Sequence, residues 1–238
     1  MPNNEHTSKQ FDAELNTVRE LVLQMGGLAE RQIETAIEAL ATGNTGLMNH
    51  VIAEDHRVNA LEVEIDERCN TIIARRQPAA NDLRLIIMIV KTITDLERIG
   101  DEAKKIAYLG KSVAHASRIS MPRAQEFQHA AQLVTGMLRT SLKVFSSLDI
   151  SSVAHVVRQD EQVDAEFHAI MRHLVGFMME DPRTISTALE MLFIAKAIER
   201  IGDHAKNISE YVVYTIKGRD VRHATTDEIE REIGTSGP

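Results

Sequence analysis

A chain of 238 residues, 43% of them hydrophobic, has enough apolar material for one large core or two small ones. Its net charge of −8 argues against a nucleic-acid binder, which needs clustered Lys and Arg, and the longest aliphatic run, Leu85 to Val90, is far short of the roughly 20 residues that cross a bilayer. The single cysteine, Cys69, excludes an internal disulfide, and with the polar stretch Asn3, Asn4, Glu5, His6 it points to a reducing cytoplasm.

Aromatic residues are few, at 4%, and Trp is absent, whereas Met numbers 10; this is a composition for aliphatic helix packing. The five prolines, at 2, 78, 122, 182 and 238, all fall at junctions between helical patterns. The first predicted helix runs near 6–42, interrupted by Met25-Gly26-Gly27, and ends at the turn Thr42-Gly43-Asn44. A second covers 46–76, and a third covers 82–116 with the apolar stripe Ile86, Ile89, Val90, Ile93, Leu96, Gly100. A fourth covers 122–147, followed by Leu148-Asp149-Ile150 and a fifth at 150–179. The sixth, 183–217, repeats the stripe as Leu189, Leu192, Ile194, Ala195, Ile198, and a polar tail follows Gly218.

An internal repeat orders these helices. The segment Glu97-Arg98-Ile99-Gly100-Asp101-Glu102-Ala103-Lys104-Lys105-Ile106 returns 102 residues later as Glu199-Arg200-Ile201-Gly202-Asp203-His204-Ala205-Lys206-Asn207-Ile208, identical at eight of ten positions. A shift of 105 aligns His50-Val51 with His155-Val156, Asp55 with Asp160, Val58 with Val163 and Ala60 with Ala165. The expected architecture is therefore all-α: two tandem antiparallel three-helix bundles, at 1–118 and 119–218, with a C-terminal tail at 219–238.

At 100° per residue, Glu97 and Asp101 continue the apolar stripe of the third helix, and Glu199 and Asp203 do the same in the sixth. Bare carboxylates cost several kcal/mol each to bury, so a cation or protons should neutralise them. On the second helix Asp55, Asn59, Glu62 and Asp66 share one face; in the other copy the row shortens to Asp160 and Asp164, then becomes Phe167 and Met171. Oxygen donors without soft ligands suit Mg, Mn, Ca or non-haem Fe rather than structural zinc. The competing reading is plain helix-surface ion pairing of Asp101 with Lys104 and Lys105, and of Asp203 with Lys206. Gly100 and Gly202, both mid-helix, imply the close approach of a neighbour or an ion. Glu126 and His129 make a single ExxH with Leu21 and Gln24 as first-copy counterparts, which does not build a di-iron site. No Gly-rich phosphate loop, nucleophile elbow or Cys cluster supplies a catalytic constellation.

The doubled Glu-Arg-Ile-Gly-Asp segment is preceded by Arg76-Gln77-Pro78 and Asp82-Leu83-Arg84 and followed by Tyr211, Tyr214, Lys217-Gly218 and Arg222-His223. In this order, over nearly the whole chain, these residues resemble the PhoU family of bacterial phosphate-specific transport accessory proteins. The resemblance implies a cytoplasmic homodimer that represses the phosphate-starvation response by coupling the ATPase subunit of the phosphate importer to a membrane sensor histidine kinase. It implies a regulator rather than an enzyme. It also implies metal binding at the family's acidic pairs, which map onto Glu97 with Asp101, Glu199 with Asp203, and Asp160 with Asp164. Asp55 with Asn59 departs by an amide, and Lys105 stands where the second copy has Asn207, so with Glu62 and Asp66 as substitutes the two sites are expected to differ in occupancy or affinity. The other function class to be weighed is a carboxylate-metal hydrolase acting on phosphate esters.

Overall fold

Local chemistry sets the helix ends. The Asn44 side chain accepts hydrogen bonds from the backbone N–H groups of Gly46 and Leu47, starting a helix one turn after Thr42. Gly218 closes the last long helix in the left-handed region (φ 72°), its N–H donating to the carbonyl of Tyr214. Asp181 caps the turn that carries Pro182 at its first position, a place where a missing N–H costs nothing.

The computed structural model describes residues 9–115, 124–221, 224 and 226–234. Its α-helices are α1 (Lys9–Thr42), α2 (Thr45–Glu54), α3 (His56–Arg76), α4 (Ala80–His115), α5 (Ala124–Ser147), α6 (Val153–Glu180), α7 (Ile185–Lys217) and α8 (Thr226–Gly234). Single 3-10 turns lie at Ile150–Ser152 and Pro182–Thr184. Among the described residues there is no strand, and no helix is long and apolar enough to cross a membrane. The predicted starts near 6 and 122, the boundary at 118/119 and the Arg222-His223 pair lie outside the described residues.

Two expectations need correction. The helix read as 46–76 is divided at Asp55, where His56 Nδ1 lies 2.6 Å from the carbonyl oxygen of Ala53 and occupies an acceptor that the helical ladder uses. The polar tail contains α8, which packs against α6 and buries Ile229. A third point is resolved: α1 runs unbroken through Met25-Gly26-Gly27. A Cβ at Gly26 would stand 2.6 Å from the end of the Leu142 side chain, so the glycine lets α1 cross α5 closely without that leucine moving aside.

The chain forms tandem three-helix bundles. In the first, α1, α3 and α4 enclose fully buried Val22, Ile33, Ile65, Ile86, Leu96 and Ile99, with α2 against α1 and α4. In the second, α5, α6 and α7 enclose Phe127, Val134, Phe145, Val163, Ile198 and Ile201. Each such side chain contributes about 1.5–3 kcal/mol by leaving water.

The bundles join along α4 and α7, which run antiparallel: Lys91 lies over the Tyr211 ring, Asp95 meets His204, and Glu102 meets Arg200. The His204 Nδ1–Asp95 Oδ1 contact is 2.6 Å, and Asn207 donates to the same oxygen at 3.3 Å. Glu102 accepts from Lys105 at 3.1 Å and lies 3.1 Å from Arg200. A second seam links α1 to α5, where Arg139 spans Glu30 and Glu34, both at 2.6 Å. The two positions at which the repeated segments differ, 102/204 and 105/207, both fall in the α4–α7 seam. Replacing Asp95 by Ala deprives the His204 ring and the Asn207 amide of their shared acceptor. It should lower stability to urea by about 1–3 kcal/mol, and an unchanged midpoint would show that the seam is held by packing alone.

Candidate metal centre

In the first bundle α3 and α4 face each other with their acidic rows. Glu97, mostly buried, and Asp101, half-exposed, project from α4 toward Glu62 of α3. Burial, then the neighbouring Asp101, push the Glu97 carboxyl above the usual range; Glu62 adds to this and Arg98 opposes it. Glu62 is raised as well, first by burial and further by Asp66 and Asp101. The four carboxylates thus lie within electrostatic reach of one another, with Arg98 only loosely placed, 3.6 Å from Glu97 and 4.0 Å from Asp101.

Deeper in the same bundle, Asp55 is buried at the α2–α3 break and accepts from Lys104 Nζ at 2.8 Å. Lys104 also lies 3.9 Å from Asp101, so one ammonium links the Asp55–Asn59 pair to the Glu97–Asp101 pair. The hydrogen bond to Asp55 holds this lysine above its ordinary value. Asn59 approaches Asp55 Oδ2 at 3.5 Å. Three oxygens here, Asp55 Oδ1, Asn59 Oδ1 and Gln32 Oε1, are buried without a hydrogen-bond partner, and so is the Gln32 amide nitrogen. Orphaned buried oxygens are costly unless a cation or water fills the gap.

The second bundle repeats the plan with different depth. Lys206, at the repeat position of Lys104, bonds Asp160 of α6. Burial is the strongest influence on both partners: it raises Asp160, and it works against the charged Lys206, which Asp160, Glu210 and Asp203 nevertheless hold above its ordinary value. Asp203 is pushed up to about 6 by burial, then by Glu199 and Asp160, against Lys206 and Lys196. Glu199 is mostly buried, takes Lys196 on one oxygen at 2.5 Å and leaves the other without a partner. Asp164 is exposed, yet close enough to add to the Asp160 shift.

Every sequence-predicted residue therefore lies on or beside an acidic face, although among the described residues no three Asp, Glu, His or Cys side chains already converge on one point as a ligand set. The donors are hard oxygens, Glu62, Glu97, Asp160 and Asp203 among them with raised proton affinity and several others without partners, so they fit a hard cation once side chains rotate and the lysines yield. Two features escaped sequence reasoning. Lys104 and Lys206, which the competing reading pairs along their own helices, reach across to Asp55 at the α2–α3 break and to Asp160 of α6, Lys104 keeping a longer 3.9 Å contact with Asp101; their identity between the repeats was the available signal. Gln32 carried no signal. A Cβ at Gly100 would meet Gln32 Oε1 at 3.1 Å and Asp55 Oδ1 at 3.6 Å, whereas at Gly202 it would meet Val134 and Val163, so side-chain packing accounts for both glycines.

The PhoU domain matches this chain twice, over residues 22–109 and 127–212, one match in each bundle. The chain belongs to the PhoU family. A Pseudomonas putida relative named a phosphate-specific transport system accessory protein PhoU homolog is 44% identical over 229 residues, 96% of this chain and 89% of that protein. The Escherichia coli K12 phosphate-specific transport system accessory protein PhoU is 43% identical over 228 residues, 96% of this chain and 94% of that protein. The crystal structure of PhoU from Pseudomonas aeruginosa superposes with a TM-score of 0.84 at 44% identity, covering 88% of this chain and all of that one. The phosphate transport system regulatory protein PhoU from Streptococcus pneumoniae gives 0.81 at 28% identity, with 89% and 99% covered. These PhoU proteins are named as accessory or regulatory components, in keeping with a non-enzymatic role.

The Asp203 value has a testable sign. A carboxyl raised to about 6 in the fold is more readily protonated there than in the unfolded chain, near 4, so its charged form weakens the fold above pH 6. That penalty fades as pH falls through 6 and is gone below the unfolded value. In metal-free protein Asp203→Asn should therefore be the more stable form at pH 7.5, by about 1 kcal/mol after solvent screening, with the gap narrowing in urea titrations at pH 5.

Proposed function

We propose that this chain is a negative regulator of phosphate uptake and of the phosphate-starvation response. In this reading it is a cytoplasmic, homodimeric, non-catalytic scaffold that couples the ATPase subunit of a phosphate importer to a sensor histidine kinase. The regulatory part is supported by relatives named as phosphate-specific transport system accessory proteins. The observation that carries the cation-binding part is the duplicated Asp–Lys–carboxylate face, with Asp203 at about 6 and orphaned oxygens at Asp55, Asn59 and Glu199.

Glu62, Glu97 and Asp101, with Asp55 and Asn59 behind them, would hold a divalent or trivalent ion such as Mg, Mn, Fe or Ca in the first bundle. Asp160, Glu199, Asp203 and the exposed Asp164 would hold one in the second. A bound ion supplies positive charge that the acidic faces lack, which lets them recruit phosphate or a phosphorylated partner. The protein's own contribution is placement: Lys104 and Lys206 neutralise the inner aspartates and keep the middle and last helices of each bundle in register.

Metal analysis of purified protein tests the site directly. Wild type should retain metal after desalting, and a variant with Glu97, Asp101, Glu199 and Asp203 all changed to Ala should lose most of it; equal contents would remove these residues as ligands. Deleting the gene should release phosphate repression, and the importer's ATPase subunit and the kinase should co-purify with the wild-type chain. Metal-dependent release of phosphate from model esters, abolished in the same variant, would instead favour the hydrolase reading.

A further inference from the structure

The outward ridge of α7 reads Ile185, Leu189, Phe193, Lys196, Arg200, spaced i, i+4, i+8, i+11 and i+15. That is the spacing with which one helix seats against another. The three apolar members are 42%, 41% and 52% exposed, on a helix whose remaining aliphatic residues are mostly buried. The antiparallel pairing of α6 with α7, marked by Lys196 over Phe167 and Lys206 on Asp160, brings Val175 and Met179 to the same level. Met179 is 80% exposed. Flexible thioether side chains adapt to varied apolar partners, and a contiguous apolar surface rimmed by polar groups marks an interaction site.

Beyond Phe193 the ridge turns basic. Arg200 and, across the seam, Lys105 both rest on the buried Glu102, and Lys196 rests on the mostly buried Glu199. The carboxylates lie beneath and the cations above, so this stretch presents positive charge outward on a chain of net −8. The first bundle has no such ridge. Its equivalents of Ile185, Leu189 and Phe193 are Leu83, Ile87 and Lys91, and Lys91 is folded over Tyr211 and Tyr214.

We propose that the α7 ridge docks one amphipathic helix of a partner protein, apolar where it meets Ile185, Leu189 and Phe193 and acidic where it meets Lys196 and Arg200. Charge complementarity selects the acidic half, and helix-in-groove packing the apolar half. An anionic membrane fits less well, because the cations continue the line of the ridge on one side, while at its apolar end the exposed Arg183 is neutralised by Asp181 and Glu190 lies beside it. The proposal does not depend on cation binding at the acidic faces, so the two stand or fall separately.

The probe is a fluorescent designed helix of about 20 residues with Leu at i, i+4 and i+8 and Glu at i+11 and i+15, compared with a version carrying Lys in place of Glu. Fluorescence anisotropy should show micromolar binding of the acidic peptide, weakening as NaCl rises, and little binding of the basic one. Leu189→Glu and Phe193→Glu should each weaken binding at least about tenfold, and Lys196→Gln with Arg200→Gln should erase the preference for the acidic peptide; circular dichroism confirms that these surface variants stay helical. Equal affinity for both peptides, indifference to the variants, or no binding overturns the proposal. So does a sedimentation mass that falls from two chains to one on Phe193→Glu, which assigns the ridge to a second copy, or vesicle flotation lost in that variant, which assigns it to a lipid surface.

Discussion

A lysine from the last helix of each bundle reaches across to an aspartate buried on the middle helix: Lys104 to Asp55 and Lys206 to Asp160. A carboxylate at that depth is tolerable only with a positive partner, and removing the partner would leave a buried charge worth several kcal/mol. The pair therefore dictates how α3 lies on α4 and how α6 lies on α7. Because the acidic rows sit one to two turns along the same faces, the same contact brings Glu62 opposite Glu97 and Asp101, and Asp160 beside Asp203. The arrangement concentrates negative charge at the surface edge of a helix–helix contact, which is where a cation can enter without opening the core.

The α4–α7 seam turns two bundles into one body and separates charge by depth. Asp95 and Glu102 are buried; Arg200 and Lys105 lie over Glu102, and His204 with Asn207 closes over Asp95. The acids buried in the seam thus hold Arg200, a cation of the outward ridge, in place. A helix pair with acids below and bases above offers a positive strip on its crest.

Much of this was legible in the chain. The all-helical class, the tandem repeat and the alignment of Glu97–Asp101 and Glu199–Asp203 with the apolar stripes all follow from period and duplication. Other features depend on contacts between elements, which a one-dimensional pattern does not encode. Lys104 lies three residues after Asp101 and so suggested a local pair, yet the buried Asp55 offers a less hydrated and therefore stronger partner. The break at Asp55 arises from a histidine side chain competing for a backbone acceptor, and α8 is a short helix whose hold on α6 includes the burial of Ile229. Gln32 became visible only through what faces it, since an internal glutamine in α1 looks like any polar interruption until Gly100 and Asp55 are seen opposite.

The divergence of the two repeated segments has a further consequence. Two nearly equivalent bundles on one chain could pair with like bundles of another chain as readily as with each other. If two first bundles met through this seam, Asp95 would face Glu102, acid against acid; if two second bundles met, His204 would face Ala197, which offers it no acceptor. Only the unlike pairing satisfies Asp95, His204 and Asn207 together. The departures from identity at 102/204 and 105/207 therefore act as a proofreading code that rejects like bundles and admits only a first bundle against a second.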